Sequence, residues 1–509
     1  MPRPVPRVAR RSDRAPRSEP GRSRRPGLFA ILGLLATSGA GLLAEAPPAR
    51  AAEADAAATQ SRASEREGRE HLARAIYEEL IEIDTTHATG STTVAAEAMA
   101  KRLREAGFRS EDVQVLGPPR KGNLVARLRA RGKPKAKPLL LLAHLDVVAA
   151  ARSEWSVDPF ELTEKDGYFY GRGTIDDKAM AAIYVTLACE LAREKTRLDR
   201  DLILALTAGE EGGGDNGAKW LVAERRELVD AGLVVNEGGH GAMRRGERLY
   251  LAVQSEEKTA MNFELRTTDV GGHSARPTAN NAIYRLAAAI SRVENLVFPV
   301  RLDPVTRTYF ERIAKIEEGE IGQAAAAIAR SPGDEAAAAI LSRQPAYNAT
   351  LRSTCAVTMI HGGHAANALP QEARALVNCR ALPGHARSEI EAALVAAVAD
   401  DRVEVVATSR RESAPPAEMD AAFLATVTRI SESHWPGVPV LPTLGTGATD
   451  STYFRLAGIP AYGVSGLFDD IDDYRAHGRD ERLGVRSFYD GLAFLRSLVR
   501  ELAVSSKRR

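Results

Sequence analysis

The chain of 509 residues has only three cysteines, and its 69 basic residues are almost balanced by 67 acidic ones. Three cysteines are too few for a disulfide framework. We predict that Cys189, Cys355 and Cys379 each pack in a core, because the first lies in an apolar helical stretch and the others in strand-like runs. A net charge of +2 gives no reason to expect a nucleic-acid partner. The shares of hydrophobic and charged residues, 44% and 27%, are typical of a globular protein.

Long uncharged hydrophobic runs are also scarce, and the one exception lies near residue 1. Residues 27–43 are apolar, follow an arginine- and proline-rich stretch, and precede the small-residue cleavage pattern at 49–51. The run has about the length of the hydrophobic part of a signal peptide and is short for a membrane span. We predict a signal peptide over 1–51, a periplasmic or secreted location and no stable membrane span after cleavage. The pair Arg24-Arg25 leaves a twin-arginine route open, and an uncleaved anchor is the alternative.

The length of the chain is too great for one hydrophobic core and favours two domains. Strands and helices alternate over 52–256, which predicts a parallel-rich sheet flanked by helices. Over 257–411 several strands alternate apolar and polar residues, as antiparallel strands with one exposed face do. The first pattern returns over 412–509. We therefore predict an α/β protein with a mixed sheet flanked by helices and an inserted α+β domain at 257–411.

Two short runs, 139–143 and 202–208, are apolar on both faces, which is typical of buried parallel strands. Ionisable residues follow directly after both runs: His144, Asp146, Glu210 and Glu211. The carboxyl ends of neighbouring parallel strands meet at one edge of an open α/β sheet, where ligands bind. We expect these four side chains to lie close together.

Four further ionisable residues complete the candidate set: Asp176, Asp177, Glu237 and His477. Each candidate has an ordinary alternative, such as a helix cap for an aspartate or a hydrogen-bonded surface group for a histidine. Neighbouring carboxylates at a strand end repel, however, unless a cation or a proton lies between them. Mixed His, Asp and Glu ligands suit zinc or a similar divalent ion. The residues therefore predict a metal-dependent hydrolase.

Six sequence motifs occur in the order that one enzyme family uses: HLDVV at 144–148, GRGTIDDK at 171–178, TAGEEGGG at 207–214, NEGG at 236–239, GGHSARP at 271–277 and HGRDERL at 477–483. From about residue 73 onward, the chain resembles the metallopeptidases that include acetylornithine deacetylase, succinyl-diaminopimelate desuccinylase, aminoacylase and carboxypeptidase S. The resemblance implies a zinc-exopeptidase fold in which the insert is a lid and dimerisation domain. A homodimer through this domain is a further expectation.

The resemblance also implies a site with two Zn²⁺ ions, for which Co²⁺ is a substitute. Asp176 would bridge the ions, with His144 and Glu237 completing one and Glu211 and His477 completing the other. Catalytic zinc of this kind keeps a position for water.

The resemblance also implies three catalytic residues in this chain. Glu210 would be the general base and acid. Asp146 would orient the ring of His144, and His273 in the insert would donate to the oxyanion, acting across a dimer in one arrangement. In the family, the peptide bond between the residues matching Asp176 and Asp177 is cis.

Asn367 and Arg380 match lid positions that contact the substrate carbonyl or terminal carboxylate in relatives, and arginine suits bidentate carboxylate recognition. GATDS at 447–451 departs from the double glycine that is usual there. Glu237, in place of an aspartate, favours the carboxypeptidase S and aminoacylase branch. The leading hypothesis is an exported dizinc exopeptidase or N-acyl-amino-acid amidohydrolase that acts on small peptides or N-acyl amino acids. The alternatives are a hydrolase of ureido acids and a non-catalytic binding protein that kept the fold.

Overall fold

The computed structural model describes residues 49–212, 214–409, 413–414 and 418–504. Nineteen strands lie within these residues: β1 (Val113–Leu116), β2 (Asn123–Leu128), β3 (Leu139–His144), β4 (Thr163–Lys165), β5 (Tyr168–Tyr170), β6 (Leu202–Thr207), β7 (Leu233–Asn236), β8 (Gly241–Arg244), β9 (Glu247–Glu257), β10 (Thr259–Thr268), β11 (Gly272–His273), β12 (Thr354–Gly362), β13 (Ala368–Leu369), β14 (Glu372–Ala381), β15 (Val403–Ala407), β16 (Val440–Gly445), β17 (Ala461–Gly463), β18 (Phe468–Asp470) and β19 (Arg482–Gly484).

Fourteen α-helices lie in the same described residues: α1 (Ala49–Glu82), α2 (Thr92–Glu105), α3 (Lys178–Arg193), α4 (Gly217–Glu224), α5 (Arg226–Val229), α6 (Ala282–Glu294), α7 (Pro304–Ile313), α8 (Gly319–Arg330), α9 (Glu335–Leu341), α10 (Pro345–Leu351), α11 (Arg387–Val398), α12 (Ala421–His434), α13 (Ser451–Leu456) and α14 (Val485–Ala503). Arg225 separates α4 from α5.

The largest sheet contains ten of the described strands, in the order β1-β2-β6-β3-β7-β17-β9-β8-β18, with β16 paired to β9. At its centre β3 pairs in parallel with β6 and with β7. Every residue of β3 and β6 is buried, because helices cover both faces of the sheet. Leu139 and Leu141 pack in the core on one face, and Leu140 and Leu142 pack in the core on the other. These contacts confirm the predicted buried parallel strands.

A second sheet of four antiparallel strands, β12-β14-β10-β15, comes from the predicted insert. Leu286 of α6 and Leu394 of α11 pack with Phe263 and Val377 in the core of this sheet. Buried and more exposed residues alternate along β14, as a strand with one covered face requires. The mixed sheet, its helices and this α+β unit confirm the predicted fold class. The domain boundaries at residues 257 and 411 stay predictions.

The helices α7 to α10, which also lie in the predicted insert, pack on the large sheet. Phe310, Ile313 and Ile328 share a core with Leu441 of β16. Arg312 of α7 donates a hydrogen bond to the main-chain carbonyl of Val440 in the same strand. These helices therefore form part of the surface around the large sheet.

Cys355 and Cys379 pack in the core of the second sheet, as predicted, but the prediction missed the covalent bond between them. Cys355 in β12 and Cys379 in β14 form a disulfide, and they lie directly opposite each other in the antiparallel register. Their Cα atoms are 4.0 Å apart. The pairing depends on the register between two strands, which neither strand reveals by itself. Cys189 is buried and free, in agreement with the prediction.

The predicted signal peptide over 1–51 lies outside the described residues up to residue 48. Within the part of the chain that the structure does describe, no helix has both the length and the apolar character that crossing a membrane requires. Export stays a prediction.

Candidate metal centre

Five segments bring the predicted metal ligands to one edge of the large sheet. His144 is the last residue of β3, Glu211 lies after β6, and Glu237 lies directly after β7. These strands are parallel neighbours, so their carboxyl ends lie together. Asp176 lies in the turn before α3, and His477 lies in the loop between β18 and β19. The convergence that the sequence predicts is present in the structure.

The carboxylate of Asp176 lies between the two histidine rings. Its Oδ1 atom is 2.8 Å from His144 Nε2, and its Oδ2 atom is 3.1 Å from His477 Nε2. His477 Nε2 is also 2.8 Å from Glu211 Oε1, and His144 Nε2 is 3.8 Å from Glu237 Oε1. Two ligands at about 2.0–2.1 Å from a tetrahedral zinc ion lie about 3.3 Å apart. The separations therefore fit one divalent ion on each side of Asp176.

Asp177 adds a further donor to the cluster. Its peptide bond with Asp176 is cis, as the resemblance implies. Asp177 is at the N-cap position of α3, yet its side chain makes no capping hydrogen bond, and its buried Oδ2 atom has no hydrogen-bond partner. Ligand atoms of His144, Asp177 and Glu237 lie within 4.8 Å of one another. Burying an unpartnered carboxylate oxygen is costly unless a cation or proton compensates it, so the donor set fits a metal.

The electrostatics of the cluster favour positive charge. Burial raises the pKa values of Glu210, Glu237 and Asp177 well above their ordinary values. Burial also opposes ionisation of Asp176, but its hydrogen bonds with the two histidines outweigh burial and lower its pKa. Hydrogen bonds to Asp176 and Glu211 raise the pKa of His477 to about 10. Without cations, protons must neutralise the crowded carboxylates, which is the behaviour expected of a cation site.

Asp146 contacts its neighbours differently from the implied arrangement. The Nδ1 atom of His144 lies 2.9 Å from the main-chain carbonyl oxygen of Asp146, whereas the carboxylate of Asp146 is 3.9 Å from Nδ1. That carboxylate instead accepts hydrogen bonds from the amides of Glu210 and Glu211, at 3.2 and 3.0 Å. Asp146 therefore supports the ring through its main chain and the Glu210-Glu211 turn through its side chain.

Sequence reasoning missed Arg172 and Glu481, which hold two ligand segments together. The buried carboxylate of Glu481 accepts hydrogen bonds from the amides of Gly173, Ile175 and Asp176, and it pairs with the buried guanidinium of Arg172. Arg172 also donates to the carbonyl of Gly478, beside His477. Arg172 lies in the motif at 171–178 and Glu481 in the motif at 477–483. Their positions close to predicted ligands are the sequence signal that could have identified them.

Asp450, within the unusual GATDS segment, is a third residue that was missed. It is buried and accepts hydrogen bonds from Thr207 Oγ1 and Asn216 Nδ2, both at 2.6 Å. These partners lie at the two ends of the turn that carries Glu210 and Glu211. Asp450 therefore ties the ends of that turn together.

The structure does not join the three predicted insert residues to this cluster. His273 is exposed, and its Nδ1 atom accepts a hydrogen bond from the amide of Ala275. Asn367 is exposed, and its carbonyl accepts a hydrogen bond from the amide of Ser274. Arg380 in β14 donates to Asn378 Oδ1 at 3.2 Å. Among the described residues, no hydrogen bond or ion pair links these side chains to the metal ligands.

Comparison with known proteins identifies the family. The model of peptidase family M20/M25/M40 matches residues 140–501. The chain belongs to this family. Membership in M20/M25/M40 confirms the resemblance that the six motifs predict, and it makes the chain a metal-dependent peptidase or amidohydrolase.

Individual relatives in the M20/M25/M40 family have low sequence identity to this chain, but the alignments cover most of it. The N-fatty-acyl-amino acid synthase/hydrolase PM20D1 of Homo sapiens is 29% identical over 377 residues, which is 72% of this chain and 74% of the relative. The probable carboxypeptidase S-like 2 of Dictyostelium discoideum is 28% identical over 375 residues, or 72% and 71% of the two chains. The M20 metallo-carboxypeptidase Sso-CP2 from Sulfolobus solfataricus has the same fold, with a TM-score of 0.64, 18% identity, and coverage of 84% of this chain and 98% of that one.

Proposed function

We propose that the chain is an exported hydrolase with two Zn²⁺ ions that cleaves the amide bond of an N-acyl amino acid or a short peptide. The observation that carries this proposal is the position of Asp176, with one carboxylate oxygen beside His144 and the other beside His477. A dizinc exopeptidase and an N-acyl-amino-acid amidohydrolase cleave the same type of bond. The names of the relatives include both an acyl-amino-acid hydrolase and a carboxypeptidase.

In this proposal Asp176 holds both ions, with His144 and Glu237 on one side and Glu211 and His477 on the other. Ions bound there supply Lewis acidity toward the substrate carbonyl and favour ionisation of water near neutral pH. The carboxylates of the cluster are crowded, and burial raises the pKa values of Glu210 and Glu237. Such a concentration of acidic groups supports the binding of two divalent ions.

Glu210 moves the proton. Its carboxylate is buried, which raises its pKa, and its amide is held by the carboxylate of Asp146. In this proposal the Glu210 carboxylate accepts a proton from the attacking water as general base. As the carbon–nitrogen bond breaks, Glu210 returns that proton to the leaving amine, so the carboxylate is regenerated.

The insert supplies the substrate contacts in this proposal. His273 donates a hydrogen bond to the oxygen that gains negative charge at the carbonyl, and Asn367 and Arg380 bind the substrate. His273 and Asn367 form one unit, because β11 pairs with β13 and the Asn367 carbonyl accepts from the amide of Ser274. The guanidinium of Arg380 suits the terminal carboxylate, since arginine binds carboxylates through two parallel hydrogen bonds.

We also propose a homodimer through the insert. β12 is an edge strand of the four-stranded sheet, and Met359 and Ile360 on it are 52% and 60% exposed. A second copy paired along this edge would cover both side chains. Light scattering should give the mass of a dimer for the native chain and that of a monomer for Ile360→Glu. The control Val395→Glu, on the exposed face of α11, should remain a dimer. A monomeric native chain would exclude this arrangement.

The Cys355–Cys379 disulfide supports the proposed export, because disulfides persist mainly in oxidising compartments. Fractionation of expressing cells should place the chain outside the cytoplasm, and its first residues should lie after 49–51. An unprocessed cytoplasmic chain would exclude export.

The proposed activity is tested by substrate profiling with and without metal. Purified chain is assayed against N-acyl amino acids, dipeptides and ureido acids after loading with Zn²⁺ or Co²⁺ and after chelation. We expect turnover of the first or second class, loss of turnover on chelation and recovery on metal addition. Turnover of ureido acids alone would favour the alternative carbon–nitrogen substrate. Binding without turnover of any class would favour a non-catalytic binding protein, and full activity in excess chelator would exclude a metal centre.

A further inference from the structure

A cavity of about 320 Å³ is built partly by the two segments that carry metal ligands. His240 lies three residues after Glu237, Tyr474 lies three residues before His477, and both line the cavity. The rings of His240 and Tyr474 are in contact, with centroids 6.4 Å apart. Burial raises the pKa of Tyr474, and the nearby carboxylate of Asp176 raises it further. The cavity therefore borders the candidate metal centre.

The rest of the wall is mainly apolar and aromatic. Tyr250 and Ala252 of β9 and Leu444 of β16 line it from the large sheet, and Ile471 lines it from the turn after β18. Tyr309 of α7 closes it from the helical part of the insert. Small-molecule sites are typically about 300–1,000 Å³ and lined by such side chains with a few polar groups. This cavity is at the lower end of that range, so it has room for one substituent of a substrate.

The charged groups in the wall argue against a carboxylate as the occupant. The side chain of Asp469 is 11% exposed, and its Oδ2 atom lies 3.5 Å from Nδ1 of His240. Asp470 also lines the cavity, and among the described lining residues none is lysine or arginine. Two acids without a strong cation repel an anionic group. The free carboxylate of an amino-acid substrate must therefore bind elsewhere, which leaves the cavity for an uncharged group.

We propose that this cavity is a substrate subsite that binds an uncharged apolar or aromatic group next to the scissile amide. The inference rests on the proposed function, because it places the amide at the metal centre. The group comes either from the acyl part of the substrate or from an apolar side chain of its amino acid. Helix α7 has a defined role in this arrangement, since its buried residue Tyr309 lines the cavity.

The test narrows the cavity at Ile471, whose side chain is 41% exposed and therefore tolerates replacement. Ile471→Trp is compared with Leu456→Trp, a control at a residue that is 59% exposed and is not among the cavity's lining residues. One substrate series varies the acyl group on alanine from acetyl to hexanoyl to decanoyl. The other keeps the acetyl group and changes alanine to phenylalanine. Thermal unfolding establishes that both variants are folded.

We expect Ile471→Trp to lower kcat/KM about tenfold or more for the largest substrate of one of the two series. The reason is that a hydrophobic pocket discriminates about tenfold or more for each methylene that does not fit. The kcat/KM for N-acetylalanine should fall by less than the value for that substrate, because the small acetyl and methyl groups of N-acetylalanine leave most of the cavity unfilled. If kcat/KM falls only for substrates with long acyl chains, the cavity binds the acyl group. If it falls only for N-acetylphenylalanine, the cavity binds the side chain of the amino acid. Equal effects on all substrates, or the same selectivity change in Leu456→Trp, would overturn the subsite.

A binding measurement separates failure of the subsite from failure of the proposed function. N-decanoylalanine and N-acetylphenylalanine are titrated calorimetrically into metal-loaded Glu210→Gln, with and without Ile471→Trp. Selectively weaker binding of either compound to the double variant supports the subsite even if the native chain hydrolyses neither. Unchanged binding of both overturns the subsite even if the native chain hydrolyses both.

Discussion

The candidate metal centre and the candidate residues of the insert were predicted from the same set of motifs, but their surroundings differ. His144 and Glu237 lie at the ends of neighbouring strands, and the packed sheet fixes the distance between them. His273 and Asn367 are exposed: the His273 ring accepts a hydrogen bond from the amide of Ala275, and the main-chain carbonyl of Asn367 accepts one from the amide of Ser274. The comparison shows that a core fixes a site at the ends of its strands. A site shared with an insert also depends on how the insert closes or pairs.

This difference has a consequence for mutations. Changes to the metal ligands, or to the residues that hold them in place, should lower metal affinity, and activity should fall with it. Changes in the insert should alter turnover or KM while the metal content stays constant.

Asp176→Ala should have the largest effect. Because Asp176 contacts both histidines, its removal should release at least one ion and lower kcat/KM by more than about 10⁴-fold. Metal content by mass spectrometry and turnover by amine release give the two readouts. Asp401→Ala, at an exposed aspartate of the insert, should change neither. A variant with two ions per chain would refute the bridging position.

Glu210→Gln should abolish most turnover without loss of metal. Proton transfer of this kind contributes about 10²–10⁴-fold to a rate, and glutamine cannot accept the proton. Glu224→Gln, at an exposed glutamate of α4, is the matched control. Near-native turnover in Glu210→Gln would reject this residue as the base.

His273→Ala should lower kcat by about 10²–10³-fold, which is the usual effect of removing one oxyanion donor. Metal content should equal that of the native chain, because His273 makes no contact with the ligands. His361→Ala removes another exposed histidine of the insert and should be silent. A loss of metal in His273→Ala would break the division between the two regions.

Glu481→Gln should weaken metal affinity by about 10–100-fold, the range for residues that orient ligands without binding the ion. The carboxylate of Glu481 holds the main chain at Asp176, and its charge balances Arg172. Competition with a fluorescent chelator measures the affinity, and excess metal should restore most turnover. If excess metal does not restore turnover, Glu481 acts in another way. Exposed Glu311→Gln is the control.

Arg380→Lys should give the smallest effect, a rise in KM of about tenfold for substrates with a free carboxylate. Lysine keeps the charge but cannot make two parallel hydrogen bonds. Amidated substrates should show little change, and so should Arg374→Lys, at an exposed arginine of the same strand. An equal effect on free and amidated substrates would exclude carboxylate recognition.

The sequence predicts the parts of the site that lie next to strong local patterns. His144 and Glu211 follow apolar runs, so their convergence could be predicted from the rule for parallel strands. The Cys355–Cys379 disulfide could not, because it depends on the register between two strands. The position of Tyr309 in the cavity wall could not be predicted either, since the sequence of α7 does not reveal which sheet the helix covers. The hydrogen bonds of Asp450 and Glu481 likewise join residues far apart in the chain.

The most direct measurement is a crystal structure of the zinc-loaded chain with anomalous diffraction data collected at the zinc edge. Two peaks about 3.5–4 Å apart should flank the carboxylate of Asp176, one beside His144 and Glu237 and the other beside Glu211 and His477. A single peak, or two peaks that do not share Asp176, would contradict the two-ion centre.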